Sequence, residues 1–265
     1  MAAAALALLP CCAPLRSLVA ATEGFMSKVA PAPPERRVHP GVEGVCTNAS
    51  INWIVPVIDG VVLVDAGFDE SGEVLLRALH GRRVLAVLLT HAHPDHRAAA
   101  HLFKAPVYVG TGDVPLLEGR YRYASVMADL GLAIGVAPRP RTVIPVEDGQ
   151  VFVFGGRTFT AVALPGHTPG STGWLSGGLL FSGDAILSPT GDGIYPAPDG
   201  VTEDMRQAYD SMRKLARLPV TTLLDAHFGT LERPQRFLHA ALARAADDDT
   251  LYQHPSPRPV GCGEP

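Results

Sequence analysis

The sequence predicts an α+β fold: two mixed β-sheets face to face with helices outside them, a four-layer αβ/βα sandwich. Three observations predict it. Hairpin signals occur in both halves of the chain, strand-then-helix units lie between them, and no linker separates the halves. A chain of 265 residues, 47% hydrophobic, can bury a sizeable core.

The elements follow in order. Residues 53–58 and 61–64 are β-branched runs around Asp59-Gly60, a strong hairpin signal. Residues 73–79 read as a short helix, and 84–89 as a continuous apolar strand buried on both faces. A helix over 95–103 and a strand over 107–109 come next. In the second half, 151–154 and 157–163 flank Gly155-Gly156, and 174–175 and 179–181 flank Ser176-Gly177-Gly178. Residues 203–218 place Met205, Tyr209, Met212, Leu215 and Ala216 at helical spacing. A strand over 221–224 and a helix over 235–245 close the pattern. No solenoid-type repeat interrupts it.

One domain is expected over 41–250, with 1–40 as a leader and extended segment and 251–265 as a tail. Residues 113–141 read as an inserted stretch of helical pieces rich in Arg, Tyr, Met and Gly. Its Tyr121, Tyr123 and Met127, with Arg120 and Arg122 alongside, form either a substrate wall or the packing of the insertion itself. Residues 31–40 are proline-rich and read as an extended lead-in.

Charge and cysteine usage narrow the function classes. A formal net charge of -4 with no basic stripe argues against nucleic acid. Cys11, Cys12, Cys46 and Cys262 form no CxxC pair, so neither a zinc ribbon nor a disulfide framework is indicated. Residues 1–25 are broken by Pro10 and Pro14 and carry no Lys or Arg before Arg16, unlike a secretory signal. Their apolar run is too short to span a bilayer, and Pro10 before Cys11 weakens a lipid anchor. Met26, opening MSKVAPAPPERR, is a second candidate start. The expectation is a cytoplasmic protein that acts on a small molecule, without a membrane or nucleic-acid partner.

The chemistry concentrates in Leu88-Leu89-Thr90-His91-Ala92-His93-Pro94-Asp95-His96. A buried strand ends at Thr90 and delivers His91 and His93 in alternate positions, so both point to one ion. Pro94 stops the extended run, and Asp95 sits where a helix N-cap belongs. The turn aims Asp95 and His96 at a second position. So tight a polar cluster has little value as packing. Three further residues each lie past the end of a predicted strand: His167 in Pro165-Gly166-His167-Thr168-Pro169-Gly170, Asp184 in Ser182-Gly183-Asp184, and His227 in Asp225-Ala226-His227. All could gather at one edge of the sandwich.

The HxHxDH run, the PGHTPGS loop, the SGD turn and the late histidine, in that order over residues 48–230, resemble the metallo-β-lactamase superfamily. The resemblance implies that superfamily's fold. It also implies that His91, His93 and His167 bind a first metal, that Asp95, His96 and His227 bind a second, and that Asp184 bridges them. Asp65, in Leu63-Val64-Asp65-Ala66-Gly67, matches the family's aspartate that orients a ligand. Asp-Ala-Gly is also good turn chemistry, so a plain turn residue is the alternative.

Imidazole and carboxylate donors suit two zinc ions per chain, and iron or manganese could occupy the same set. Two dications ~3.5–4 Å apart can share one water and drive its deprotonation near neutral pH. The expected reaction is attack of that hydroxide on an ester, thioester, lactone or amide carbonyl, with Asp95 handling the leaving-group proton. No branch of the family fits cleanly. Asp184 argues against β-lactamase activity. The Gly-Cys-Gly-Arg segment of glyoxalase II and the persulfide dioxygenases is replaced by Ala185-Ile186-Leu187-Ser188-Pro189-Thr190-Gly191. Leu187 stands where homoserine-lactone lactonases usually carry tyrosine. A mononuclear iron oxygenase resembling the persulfide dioxygenases would use only His91, His167 and Asp184, and a non-enzymatic module would use none.

Overall fold

A computed structural model describes residues 37–39, 41–47, 50–120, 138–188 and 193–247. The first sheet has seven strands in sequence order: β1 Arg37–His39, β2 Val42–Thr47, β3 Ser50–Val57, β4 Gly60–Val64, β5 Val84–Leu88, β6 Val107–Gly110 and β7 Val143–Val146. β1 to β4 pair antiparallel, and β4 to β7 pair parallel. The second sheet contains β8 Val151–Phe154, β9 Arg157–Ala163, β10 Thr172–Ser176, β11 Leu179–Gly183, β12 Thr222–Asp225 and β13 Thr230–Glu232. Its order is β13-β12-β11-β10-β9-β8, and only β11 and β12 run parallel. Among the described residues the helices are α1 Glu73–Leu79, α2 Pro94–Arg97, α3 Val114–Leu117, α4 Met205–Leu215 and α5 Gln235–Asp247.

Alternation along the strands builds the layers. In β4, Val61 and Leu63 face α1 while Val62 and Val64 face the other sheet. Trp53, Phe159, Trp174 and Phe181 fill the layer between the sheets. The outer face of the second sheet packs Leu180 and Leu223 on Met212 and Leu215 of α4 and Leu238 of α5. Three apolar layers between four structural layers make the predicted α+β sandwich. Among the described residues no helix is long and apolar enough to cross a membrane.

Several local expectations change. The proline-rich lead-in contains β1, an edge strand, where an unpaired backbone position is tolerated. The helix expected over 95–103 is α2 followed by a 3₁₀ turn over Ala98–Leu102. Its N-cap is His93 rather than Asp95, because Pro94 takes the first helical position, which needs no N–H donor. The helix expected over 203–218 is shorter: Asp204 caps its start by accepting from Gln207 N–H, and the nearby Pro219 prevents its continuation. The expected insertion begins with a 3₁₀ turn over Thr111–Asp113 and α3, and Asp113 belongs to the buried core of the site. Tyr121, Arg122, Tyr123 and Met127 lie outside the described residues. β2, β7 and β13 have no counterpart among the expected strands.

Candidate metal centre

Parallel pairing brings the functional residues to one edge. Neighbouring parallel strands end at the same edge, so the residues just past β4, β5 and β6 emerge side by side. These are Asp65, the run from Thr90 to His96, and Asp113. In the second sheet the parallel pair β11 and β12 does the same for Asp184 and His227. His167 lies on the connection between β9 and β10.

The two edges are held close. Thr172 N–H donates to Thr90 O at 2.8 Å, and Trp174 Nε1–H donates to Leu89 O at 3.0 Å. Gly183, at φ +54°, allows a close approach: a Cβ there would lie 2.2 Å from Thr90 Oγ1. Both its backbone conformation and the lack of space exclude a side chain.

All seven expected donors meet. They fall into three overlapping groups, His91/His93/His167, His91/His96/Asp184 and Asp95/His96/His227, whose donor atoms lie within 4.8 Å of one another in each group. His167 Nε2 is 3.2 Å from His91 Nε2 and 2.8 Å from His93 Nδ1. Asp184 stands between the groups, with Oδ1 3.0 Å from His227 Nε2 and 3.4 Å from His96 Nε2, and Oδ2 3.6 Å from His167 Nε2. Asp95 Oδ2 is 3.3 Å from His96 Nε2.

The outward nitrogens are held by hydrogen bonds. Asp65 Oδ2 accepts from His96 Nδ1–H at 2.9 Å and from the Thr90 hydroxyl at 2.8 Å. Thr90 Oγ1 in turn accepts from His91 Nδ1–H at 3.1 Å. One carboxylate therefore orients two histidines, each presenting Nε2 to the centre. Thr202, whose hydroxyl donates to Ala197 O at 2.9 Å, faces His167 Nδ1 at 3.4 Å.

Burial acts to lower the pKa of every histidine of the centre, and the carboxylates separate the groups electrostatically. Desolvation holds His91 and His93 well below the usual imidazole pKa, with neighbouring histidines adding to the effect, and pushes His167 down to about 4. Neutral imidazoles offer lone pairs. Burial also opposes charge on His96, but Asp95, Asp184 and Asp65 outweigh it and hold its pKa well above the usual value. Against burial, Asp184 and Asp95 raise His227 to about 9. Asp95 and Asp184 lie well below the usual carboxylate range: burial opposes this, but His96 beside Asp95, and His227 and His96 beside Asp184, prevail.

The donor set fits a divalent metal. His96 Nε2 and Asp184 Oδ1 are buried with close charged neighbours but no hydrogen bond of proper geometry, an arrangement that costs free energy unless a cation satisfies them. Five imidazoles and two carboxylates are a nitrogen and oxygen donor set of that kind.

Sequence reasoning does not single out Thr90, Thr202, Asp113 or Asp225 as supports of the centre. Asp113 could have been found by the signal used for Asp184, an aspartate just past a strand.

Residues 48–227 match the description Metallo-beta-lactamase superfamily. A hydroxyacylglutathione hydrolase from Yersinia pestis (strain Pestoides F) is 34% identical over 194 residues, covering 72% of this chain and 66% of that protein. The chain thus matches just under two thirds of that relative's length. A metallo-beta-lactamase family protein from Thermus thermophilus shares the fold, with a TM-score of 0.60 at 20% identity over 79% of this chain and 80% of that one. A structure in a di-iron-bound form gives a TM-score of 0.55 at 28% identity over 71% of this chain and 91% of that one. The chain belongs to the metallo-beta-lactamase superfamily.

Proposed function

We propose that this chain is a metal-dependent hydrolase that holds two divalent ions, zinc first, and cleaves an acyl bond to a small-molecule leaving group. One observation carries the reading: seven buried or half-buried donors gather in three overlapping groups, with the Asp184 carboxylate in the middle one. In this reading His91, His93 and His167 hold the first ion, and Asp95, His96 and His227 hold the second. Asp184 serves both, and its charge offsets the repulsion between neighbouring cations.

Bound zinc supplies a Lewis acid for the substrate carbonyl and an acidified water. The chain's own residues do the rest. Thr90 and Asp65 keep His91 and His96 aimed inward. The Asp95 side chain is 24% exposed against 10% for Asp184, so Asp95 is the carboxylate open to substrate. It would take a proton from the attacking water and pass it to the departing oxygen, nitrogen or sulfur, as the water oxygen joins the acyl carbon and the bond to the leaving group breaks.

The 34% identical hydroxyacylglutathione hydrolase favours a thioester among the acyl substrates. Esters, lactones, amides and β-lactams are the alternatives to test beside it. The di-iron-bound neighbour favours iron as the second choice of metal. A mononuclear iron oxygenase leaves the group Asp95/His96/His227 without a task. We further propose a single domain over 41–250 and a cytoplasmic site of action without nucleic-acid or membrane partners.

The test is a substrate panel on zinc-loaded protein: S-hydroxyacylglutathione, p-nitrophenyl esters, lactones, amides and a chromogenic β-lactam. Thiol release from the thioester, dependent on metal, is expected to dominate. Oxygen consumption with a persulfide, and no hydrolysis of any substrate, would contradict the reading.

A further inference from the structure

Two buried aspartates stand outside every donor group and grip the loops that carry the donors. Asp113, at the end of β6, accepts three hydrogen bonds from both sheet edges. Its Oδ2 takes Ala92 N–H at 2.8 Å, between His91 and His93, and the Thr168 hydroxyl at 2.8 Å, beside His167. Its Oδ1 takes Gly170 N–H at 2.7 Å. Asp225, at the end of β12, does the equivalent elsewhere. Its Oδ1 takes the N–H groups of His227 at 2.9 Å, Phe228 at 2.6 Å and Gly229 at 3.3 Å. Its Oδ2 takes Ser188 N–H at 3.0 Å and the Ser188 hydroxyl, on the segment that follows Asp184.

We propose that Asp113 and Asp225 are positioning residues, one for each metal position. Asp113 sets the group His91/His93/His167, and Asp225 sets Asp184 against His227. The proposal rests on the two-ion reading above.

The backbone is arranged to let Asp113 reach. A Cβ on Gly112 would lie 2.6 Å from the Pro169 carbonyl, and one on Gly170 would lie 2.3 Å from Asp113 N. The strand end and the His167 loop therefore touch backbone to backbone. Such an approach limits packing to this one arrangement. Both carboxyl groups are fully buried, which is costly unless their acceptor capacity is used. Burial pushes Asp113 up to about 6 and raises Asp225 above the usual range, while the hydrogen bonds from Thr168, Gly170 and Ala92, and from Ser188 and the His227 loop, draw them back. An ordinary core would place apolar side chains here. The two carboxylates differ from Asp65, which reaches histidines of both groups.

The experiment uses the full chain, stripped with chelator and titrated with zinc in a calorimeter. His93→Ala and His227→Ala identify which binding step belongs to which position. Asp113→Asn keeps size but replaces an acceptor oxygen with a donor. It is expected to weaken the His93-dependent step about 10- to 100-fold. The His227-dependent step should weaken by a clearly smaller factor, because the two positions share Asp184 but Asp113 accepts its hydrogen bonds from the segments of His91, His93 and His167. Asp225→Asn is expected to show the opposite selectivity. Thr168→Val and Ser188→Ala remove one bond from each clasp and should weaken the same steps by about tenfold. They decide the question if either asparagine variant fails to fold. Two intact zinc steps in the wild type with both weakened equally in the variants, in parallel with melting temperature, would make the aspartates merely structural. Unchanged affinities in all four variants would also overturn the proposal. A wild type with a single zinc step would overturn the two-ion reading, and this proposal with it.

Discussion

The edge of the first sheet delivers His91, His93, Asp95 and His96 on six consecutive residues, whereas the second sheet and its loops supply His167, Asp184 and His227 from three separated places. The first arrangement is set by local chain geometry: a strand end, a proline at the first helical position and one short turn. The second depends on register. Asp184 meets His227 because β11 and β12 run parallel, and meets His96 because Gly183 lets the second sheet close on Thr90. The contrast teaches that a dense motif survives small shifts in sheet packing, while a dispersed ligand set inherits every error in it.

The largest effect is expected where the sheets are joined. Trp174 is fully buried and hydrogen-bonded to Leu89 O across the sheets. Trp174→Ala should cost about 3–5 kcal/mol, read as a shifted urea midpoint. It should also displace the dispersed donors more than the HxHxDH run, and because each position takes one dispersed histidine and both use Asp184, both zinc steps should weaken. Unchanged zinc affinity at both would mean that the two edges hold their places without the indole.

Asp184→Ala comes next. Removing the carboxylate shared by both groups should eliminate the second ion and lower turnover by at least about 100-fold, beyond the range of an outer hydrogen-bonding change. Far-ultraviolet circular dichroism should not change. Turnover close to wild type would remove Asp184 from the centre.

Asp65→Asn sharpens the comparison in the other direction. Because Asp65 supports His91 through Thr90 and His96 directly, both zinc steps should weaken, each by about 10-fold or somewhat more. Loss confined to one step would assign Asp65 to that histidine alone.

The smallest effect belongs to the cap of α4. Asp204 accepts from Gln207 N–H at 2.9 Å, and its own N–H donates to Gly166 O at 2.9 Å, next to His167. Asp204→Ala should cost about 1 kcal/mol in denaturant titration with little change in zinc affinity. A clear loss of the first ion would show that the His167 loop relies on this helix.

The same contrast explains what could be read in the sequence. The HxHxDH run, the hairpins at Asp59-Gly60 and Gly155-Gly156 and the helix Glu73–Leu79 were legible because turn chemistry and periodicity act locally. β13 is three residues long and lies at a sheet edge, and β2 carries Glu43 and Gly44, so neither has a strong strand pattern. Asp95 reads as an N-cap because the sequence shows the residue type but not that Pro94 already starts the helix. Asp113 and Asp225 have roles written in hydrogen bonds between residues 21 to 57 positions apart for the first and up to 37 for the second. A local pattern can mark Asp113 as an aspartate just past a strand, but it does not carry the partners that either carboxylate holds.

The central claim is that one centre with two ions is assembled from both sheet edges, and metal counting tests it most directly. Purified chain is stripped, loaded with zinc, desalted and analysed by mass spectrometry for zinc, iron and manganese, with hydrolysis followed at each added equivalent. The account predicts two ions per chain and hydrolysis that rises through the second equivalent. A chain that retains a single iron and gains neither metal nor activity from added zinc would contradict it.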